Sequence, residues 1–389
     1  MGGSVYRIEW LPNAGIFNIS SAEVLNLETK SYHEQKRIEY TRKTRDILSL
    51  LPGFVTTFFR GIEPHTLPRT RLGYAEDLRV FFEWLYENNS AVKSKHSDIK
   101  GITLEELSNL ETFDIEEYME YLRLRTDKNG EDIVNSNSAI KRKMAALRGL
   151  YSYLYKNKMI ENNATVMVEL PRLHDKAIIR LDTDEIAKFL DTVDIGAENM
   201  TDRQRQFHEL NRVRDLAMMT LMLGTGIRVT ECVGLDIQDV DIANSRIKVT
   251  RKGGYEAFVY FGNEVEDALL PYLEERKTIQ DVVPGHENAL FLSTRKRRIC
   301  VRNVEIMVKK YASHVTSLKK ITPHKLRSSY GTALYQETGD IYLVADVLGH
   351  KDVNTTRKHY AAIEEDRRRR AKDIVKLRDD DKRDDENKD

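Results

Sequence analysis

Three observations predict a mainly helical chain of two domains with one small antiparallel sheet. Glycine and proline together number 28 in 389 residues, about 7% against a typical ~12%, too few to punctuate a run of short strands. Apolar residues recur at helical spacing: Leu78, Phe81, Phe82 and Leu85 fall at i, i+3, i+4 and i+7, one stripe along a helix. Clear alternation at period two is found over 246–262, where Ile247, Val249, Ala257, Val259 and Phe261 flank Lys252-Gly253-Gly254. That pattern is a hairpin with a glycine turn.

Taken in order, residues 1–50 form an N-terminal extension with a short strand near 6–10 and a charge-rich helix over 21–51. A helical domain follows over 51–165. Its last helix carries Lys141, Arg142, Lys143 and Arg148 beside Ile140, Met144, Leu147, Leu150 and Leu154, apolar on one side and basic on the other. Alone, that helix reads equally well as an ordinary amphipathic surface helix. Residues 166–175 make a linker, because Pro171 interrupts any helix. The second domain spans 176–365. A helix start is written at Asp182, Thr183, Asp184 and Glu185, a cap with acids in the first turn. A helix near 212–223 is closed by Gly224-Thr225-Gly226, the hairpin comes next, and helices return over 302–377. Residues 366–389 begin a C-terminal helix that ends in a charged tail.

Composition limits the function. No apolar run approaches the ~18 residues that span a bilayer, and the N-terminus has no secretory pattern. Two cysteines, Cys232 and Cys300, are too few for a disulfide framework and show no zinc spacing. An intracellular, soluble protein is expected. Formal net charge is zero, yet phosphate binding needs one basic face and not a basic average. Between Phe291 and Tyr330 eleven Lys or Arg stand against one acid, Glu305. They include Arg295, Lys296, Arg297 and Arg298, which with the basic helix are candidate contacts to DNA.

Five short motifs occur in order. Gly224-Thr225-Gly226-Ile227-Arg228 bends the backbone and sets a guanidinium at a helix mouth, where it can fork onto a phosphate. Glu231, one turn on, can orient it, and a purely structural ion pair would look the same. Lys252 sits at the hairpin tip, where most lysines are merely solvated. His324 and Arg327 share a helix face at i,i+3. Leu348-Gly349-His350 is the fourth motif. Tyr360 follows Asn354-Thr355-Thr356 as the fifth.

In order and spacing these motifs resemble the tyrosine recombinase (phage-integrase-like) family of site-specific DNA recombinases. The resemblance covers about 176–365 strongly and 51–165 more weakly, the latter looking like the family's helical core-binding domain. One departure is the gap from Thr356 to Tyr360, a residue longer than the commonest variant. The resemblance implies a C-shaped clamp around DNA, a homotetramer on two sites with a C-terminal segment docked on a neighbour, and no cofactor or metal. It assigns Tyr360 as nucleophile, Arg228 and Arg327 as stabilisers of the phosphate, Lys252 as general acid, and His324 and His350 as base and hydrogen-bond donor. The work would be done on nucleoid DNA in the cytoplasm. Two rivals share these residues or this fold: a type IB topoisomerase, and a catalytically silent DNA-binding regulator. A metal-dependent nuclease finds no HExxH or carboxylate–histidine cluster in the sequence.

Overall fold

The computed structural model describes residues 30–126, 129–173, 179–198, 200–350 and 353. Tyr360, the strand expected near 6–10 and the C-terminal helix and tail lie outside the described residues. The chain divides into two compact units, Met1–Lys176 and Ala177–Asp389.

The first unit is a helical bundle. Helix α1 (Tyr32–Leu48) starts at a reciprocal cap between Ser31 and Glu34. It packs against α3 (Pro68–Asn88), where the Arg69 guanidinium lies 5.3 Å from the centre of the Tyr40 ring. The N-terminal helix is therefore part of this bundle. Between them comes α2 (Gly53–Ile62), and beyond α3 the short α4 (Ser90–Lys95) and α5 (Leu104–Ser108), then α6 (Thr112–Arg123) and α7 (Asn137–Lys156). The expected stripe of Leu78, Phe81, Phe82 and Leu85 is fully buried, and Tyr118 of α6 meets Phe81 edge-on at 5.0 Å. A hairpin that composition did not announce joins α6 to α7: β1 (Leu124–Thr126) pairs antiparallel with β2 (Asp132–Val134).

On α7 the basic side is not uniformly solvated, which corrects the sequence expectation. Lys143 lies on the buried face among Met144 and Leu147, and its ammonium donates to Asp77 Oδ1 at 2.9 Å. Asp77 is buried inside α3 and also accepts from Arg142. A buried carboxylate requires a paired cation, so Lys143 is held against Asp77 inside the bundle and does not stand on a solvated basic face. Arg148 turns back to the Val168 carbonyl. Lys141 is half-buried, and the Arg142 side chain keeps about half of its surface exposed (53%).

The second unit is built around one buried helix. Helix α8 (Thr183–Asp194) opens at the predicted Asp182–Glu185 cap. Lys319 closes on both carboxylates, at 2.9 and 2.5 Å, and its hydrogen bond holds the Asp182 carboxyl below its ordinary range. After α9 (Asp202–Glu209), α10 (Arg212–Thr225) carries Ala217, Met218, Met219, Leu221, Met222 and Leu223, so it is apolar almost all round and sits at the centre. Gly224 permits close approach there, since a Cβ would lie 2.4 Å from Val265 of α12 (Asn263–Thr278). Helix–helix packing, and not a ligand, explains that glycine. Helix α11 (Val229–Gly234) leads to β3 (Val240–Asp241), β4 (Arg246–Thr250) and β5 (Glu256–Tyr260), an antiparallel sheet in that order. Helices α13 (Val301–Ala312), α14 (Pro323–Thr338) and α15 (Ile341–Leu348) complete the unit. Among the described residues no helix is long and apolar enough to cross a membrane.

Candidate active site

The site is assembled at the ends of elements of the second unit. Helix α10 stops at Gly226, which is left-handed with φ 62°. A side chain there would meet Tyr330 Cδ1 at 2.4 Å, so only glycine allows the chain to turn this sharply. The turn delivers Arg228 to the position before α11. The Glu231 carboxylate then takes the Arg228 backbone N–H at 2.9 Å and its guanidinium Nη1 at 2.7 Å. Glu231 is buried, whereas the Arg228 side chain stays about a third exposed. The expected orienting pair is present.

Helix α14 begins with Pro323 at its first turn, where the missing N–H costs nothing. His324 is exposed there, and Arg327 one turn later is buried. Arg327 donates to the Gly226 carbonyl at 2.6 Å and to the Leu348 carbonyl. Helix α15 ends in a left-handed Gly349 with φ 62°, and the His350 N–H folds back onto the Ala345 carbonyl at 2.8 Å. Its last carbonyls, beyond the reach of the helix's own N–H groups, become acceptors: Gly349 takes Arg228 Nη2 at 3.2 Å. Two motifs distant in sequence thus hold adjacent carbonyls of the third, directly before His350.

One residue of the network went unnoticed in the sequence. Arg251 is buried, donating to the Leu348 carbonyl at 3.1 Å and the Val347 carbonyl at 3.0 Å, with Nη1 3.7 Å from Glu231. Its signal was the strand alternation: Ile247 and Val249 face inward, and Arg251 is the next position of that series. Lys252 follows it, exposed in the turn between β4 and β5. Three guanidiniums against one carboxylate leave a net positive charge around the 347–349 carbonyls. Neutral carbonyls fix a guanidinium's plane without cancelling its charge, so this cluster is suited to a phosphate. Tyr330 beside Gly226 is half-buried, and burial raises its phenol above the ordinary range. Burial also pushes the Cys232 thiol up, which leaves it inert.

The basic segment 295–298 forms the tip of a small turn. Leu292 bridges Arg298, and Ser293 receives the Lys296 N–H. Arg295 and Lys296 are exposed and Arg297 half-buried. Arg298 departs from expectation: its guanidinium holds the Val233 and Leu235 carbonyls, at 3.1 and 2.7 Å, and the Asp236 carboxylate. Only 8% of its side chain is exposed, so in this structure it braces α11 against this turn.

Comparison with known proteins places this geometry. The pattern described as Phage integrase family matches residues 180–367. Tyrosine recombinase XerS of Streptococcus uberis is 30% identical over 340 residues, covering 81% of this chain and 93% of that protein. Tyrosine recombinase XerC of Caldanaerobacter subterraneus subsp. tengcongensis is 32% identical over 299 residues, covering 75% and 77%. Among solved structures, the XerH site-specific recombinase bound to palindromic difH substrate has the same fold at TM-score 0.58 and 20% identity, over 90% of this chain and 92% of that one. The Tn1549 transposon integrase with circular intermediate DNA gives 0.56 at 18%, over 79% and 95%. With Arg228, Glu231, Arg327 and the Leu348–Gly349 turn gathered in one network inside the matched region, the chain belongs to the tyrosine recombinases, a family of site-specific DNA recombinases.

Proposed function

We propose that the chain cuts and rejoins duplex DNA through a 3′-phosphotyrosine at Tyr360, without ATP or metal. The observation that carries this reading is the pairing of Arg228 and Arg327 on the neighbouring carbonyls of Gly349 and Leu348. Two such guanidiniums suit the charge that builds on the non-bridging oxygens as phosphorus is attacked. The Tyr360 oxygen forms a bond to phosphorus while the bond to the 5′-oxygen breaks. The leaving oxygen takes a proton from Lys252, and the phenol proton passes to His324. His350 donates to a non-bridging oxygen. Attack of another strand's 5′-hydroxyl on the phosphotyrosine reverses these steps, and the bond energy is conserved. The working unit is a homotetramer holding two duplex sites, acting on nucleoid DNA in the cytoplasm. Integration of a mobile element, inversion and dimer resolution all use this chemistry.

Two results test the reading. A nicked duplex that traps the intermediate should be cleaved at an undiminished rate in excess EDTA. Loss of cleavage that magnesium restores would remove the charge-neutralising role from the arginines. Duplex binding should also weaken steeply with salt, by a log–log slope of about −0.9 for each phosphate neutralised. Neutralising Lys141, Arg142, Arg295, Lys296 and Arg297 together should flatten that slope for specific and random DNA alike, because phosphate contacts carry little sequence information. An unchanged slope would show that neither basic stretch meets the backbone of DNA.

A further inference from the structure

We propose that Arg251 is a positioning residue: it ties the Lys252 hairpin, the Glu231–Arg228 pair and the loop that carries His350 into one unit. The proposal rests on the reading of Lys252 as general acid. Lys252 is exposed at the tip of the β4–β5 turn, and a proton donor must sit within hydrogen-bond reach of the leaving oxygen. Arg251 supplies the missing constraint from its own position next to Lys252. Its backbone N–H donates to the Tyr255 carbonyl at 2.9 Å, and its carbonyl accepts from Gly254 at 3.0 Å, closing the turn around Lys252. Its side chain reaches in the opposite direction, to the carbonyls of Val347 and Leu348. The hairpin is thereby bolted to the end of α15, one residue from Gly349 and two from His350.

Charge gives Arg251 a second task. If Glu231 faced Arg228 alone, a buried carboxylate would cancel the guanidinium meant for the phosphate. Arg251 stands 3.7 Å from the Glu231 oxygen that also takes the Arg228 backbone N–H. Glu231 is thus shared between two cations, and the cluster keeps its net positive charge. The fit is tight: a Cβ on Gly349 would lie 2.8 Å from Arg251 Nη1. Both the left-handed backbone and this guanidinium therefore exclude a side chain there.

The test compares two leaving groups on the nicked duplex that carries the cleavage site mapped for the wild-type chain. In one the bridging 5′ atom is oxygen. In the other it is sulfur, which departs as a thiolate while tyrosine bonds to phosphorus and so needs no donated proton, its reference pKa being near 8.5. Arg251→Lys keeps a cation near Glu231 but cannot hold two carbonyls. Arg251→Ala loses both. On the oxygen substrate each should cleave roughly 10- to 100-fold more slowly, a fraction of the ~10²–10⁴ that general acid catalysis contributes, with DNA affinity retained. On the sulfur substrate Arg251→Lys should recover to near the wild-type rate, as Lys252→Ala does. Normal cleavage of the oxygen substrate by both Arg251 variants would overturn the proposal. So would an equal loss on both substrates when Lys252→Ala is rescued, since Arg251 would then only support the fold. If Lys252→Ala itself gains nothing from sulfur, the general-acid reading of Lys252 fails, and the hairpin part of the proposal falls with it.

Discussion

Tyr360→Phe should yield no covalent protein–DNA complex on a nicked duplex, while its affinity for the same duplex stays at the wild-type level. Removing one oxygen takes away the only atom that Tyr360 contributes to the bond, so the loss should be complete and not graded. Binding persists because the contacts to phosphates come from cations elsewhere. Normal trapping in this variant would move the nucleophile to another residue. Tyr342, on α15 and 71% exposed, and His359 would be examined next.

Arg228→Lys and Arg327→Lys should each lower cleavage by about 10²–10³-fold, the size of effect seen when one preorganised donor to a developing oxyanion is lost. An ammonium keeps the charge but loses the planar fork. The two variants should differ in stability. Arg327 is buried and satisfies the Gly226 and Leu348 carbonyls. A lysine there leaves at least one of them unpaired, at a cost of about 1–3 kcal/mol, visible as a lower midpoint in urea. Arg228 is partly exposed and its partner Glu231 can still pair with lysine, so its midpoint should move little. Cleavage within a few-fold of wild type in either variant would contradict the phosphate-stabilising role, whatever the stability.

Much of the fold was legible because periodicity reports which face is buried. The Leu78–Leu85 stripe, the Asp182 cap and the hairpin around Lys252 all lie where residue spacing put them. What escaped depends on partners far apart in the chain. The β1–β2 hairpin is three residues per strand, too short for alternation to register. Lys143 and Arg298 read as surface cations until Asp77 and Asp236 are seen beside them. A basic side chain's sequence context does not reveal whether a carboxylate has been folded against it. Arg251 escaped for a related reason: an arginine next to an exposed turn looks solvated, and only the inward register of Ile247 and Val249 marks it otherwise. The motifs holding Arg228, Arg327 and Leu348–Gly349 stood out in the sequence by their order, and the structure brings these three together. That Arg228, Arg251 and Arg327 meet at the carbonyls of 347–349 was not legible, because carbonyls carry no signature in a sequence.

The atom that joins protein to DNA can be found directly. The wild-type chain would be incubated in excess EDTA with a nicked duplex carrying its cleavage site. The trapped complex would then be digested with protease and nuclease, and the nucleotide-bearing peptide sequenced by mass spectrometry. The expected product is a peptide containing Tyr360 with a nucleotide on its phenolic oxygen through a 3′-phosphate. A nucleotide on another residue, a 5′-phosphate linkage, or no adduct until magnesium is added would contradict it.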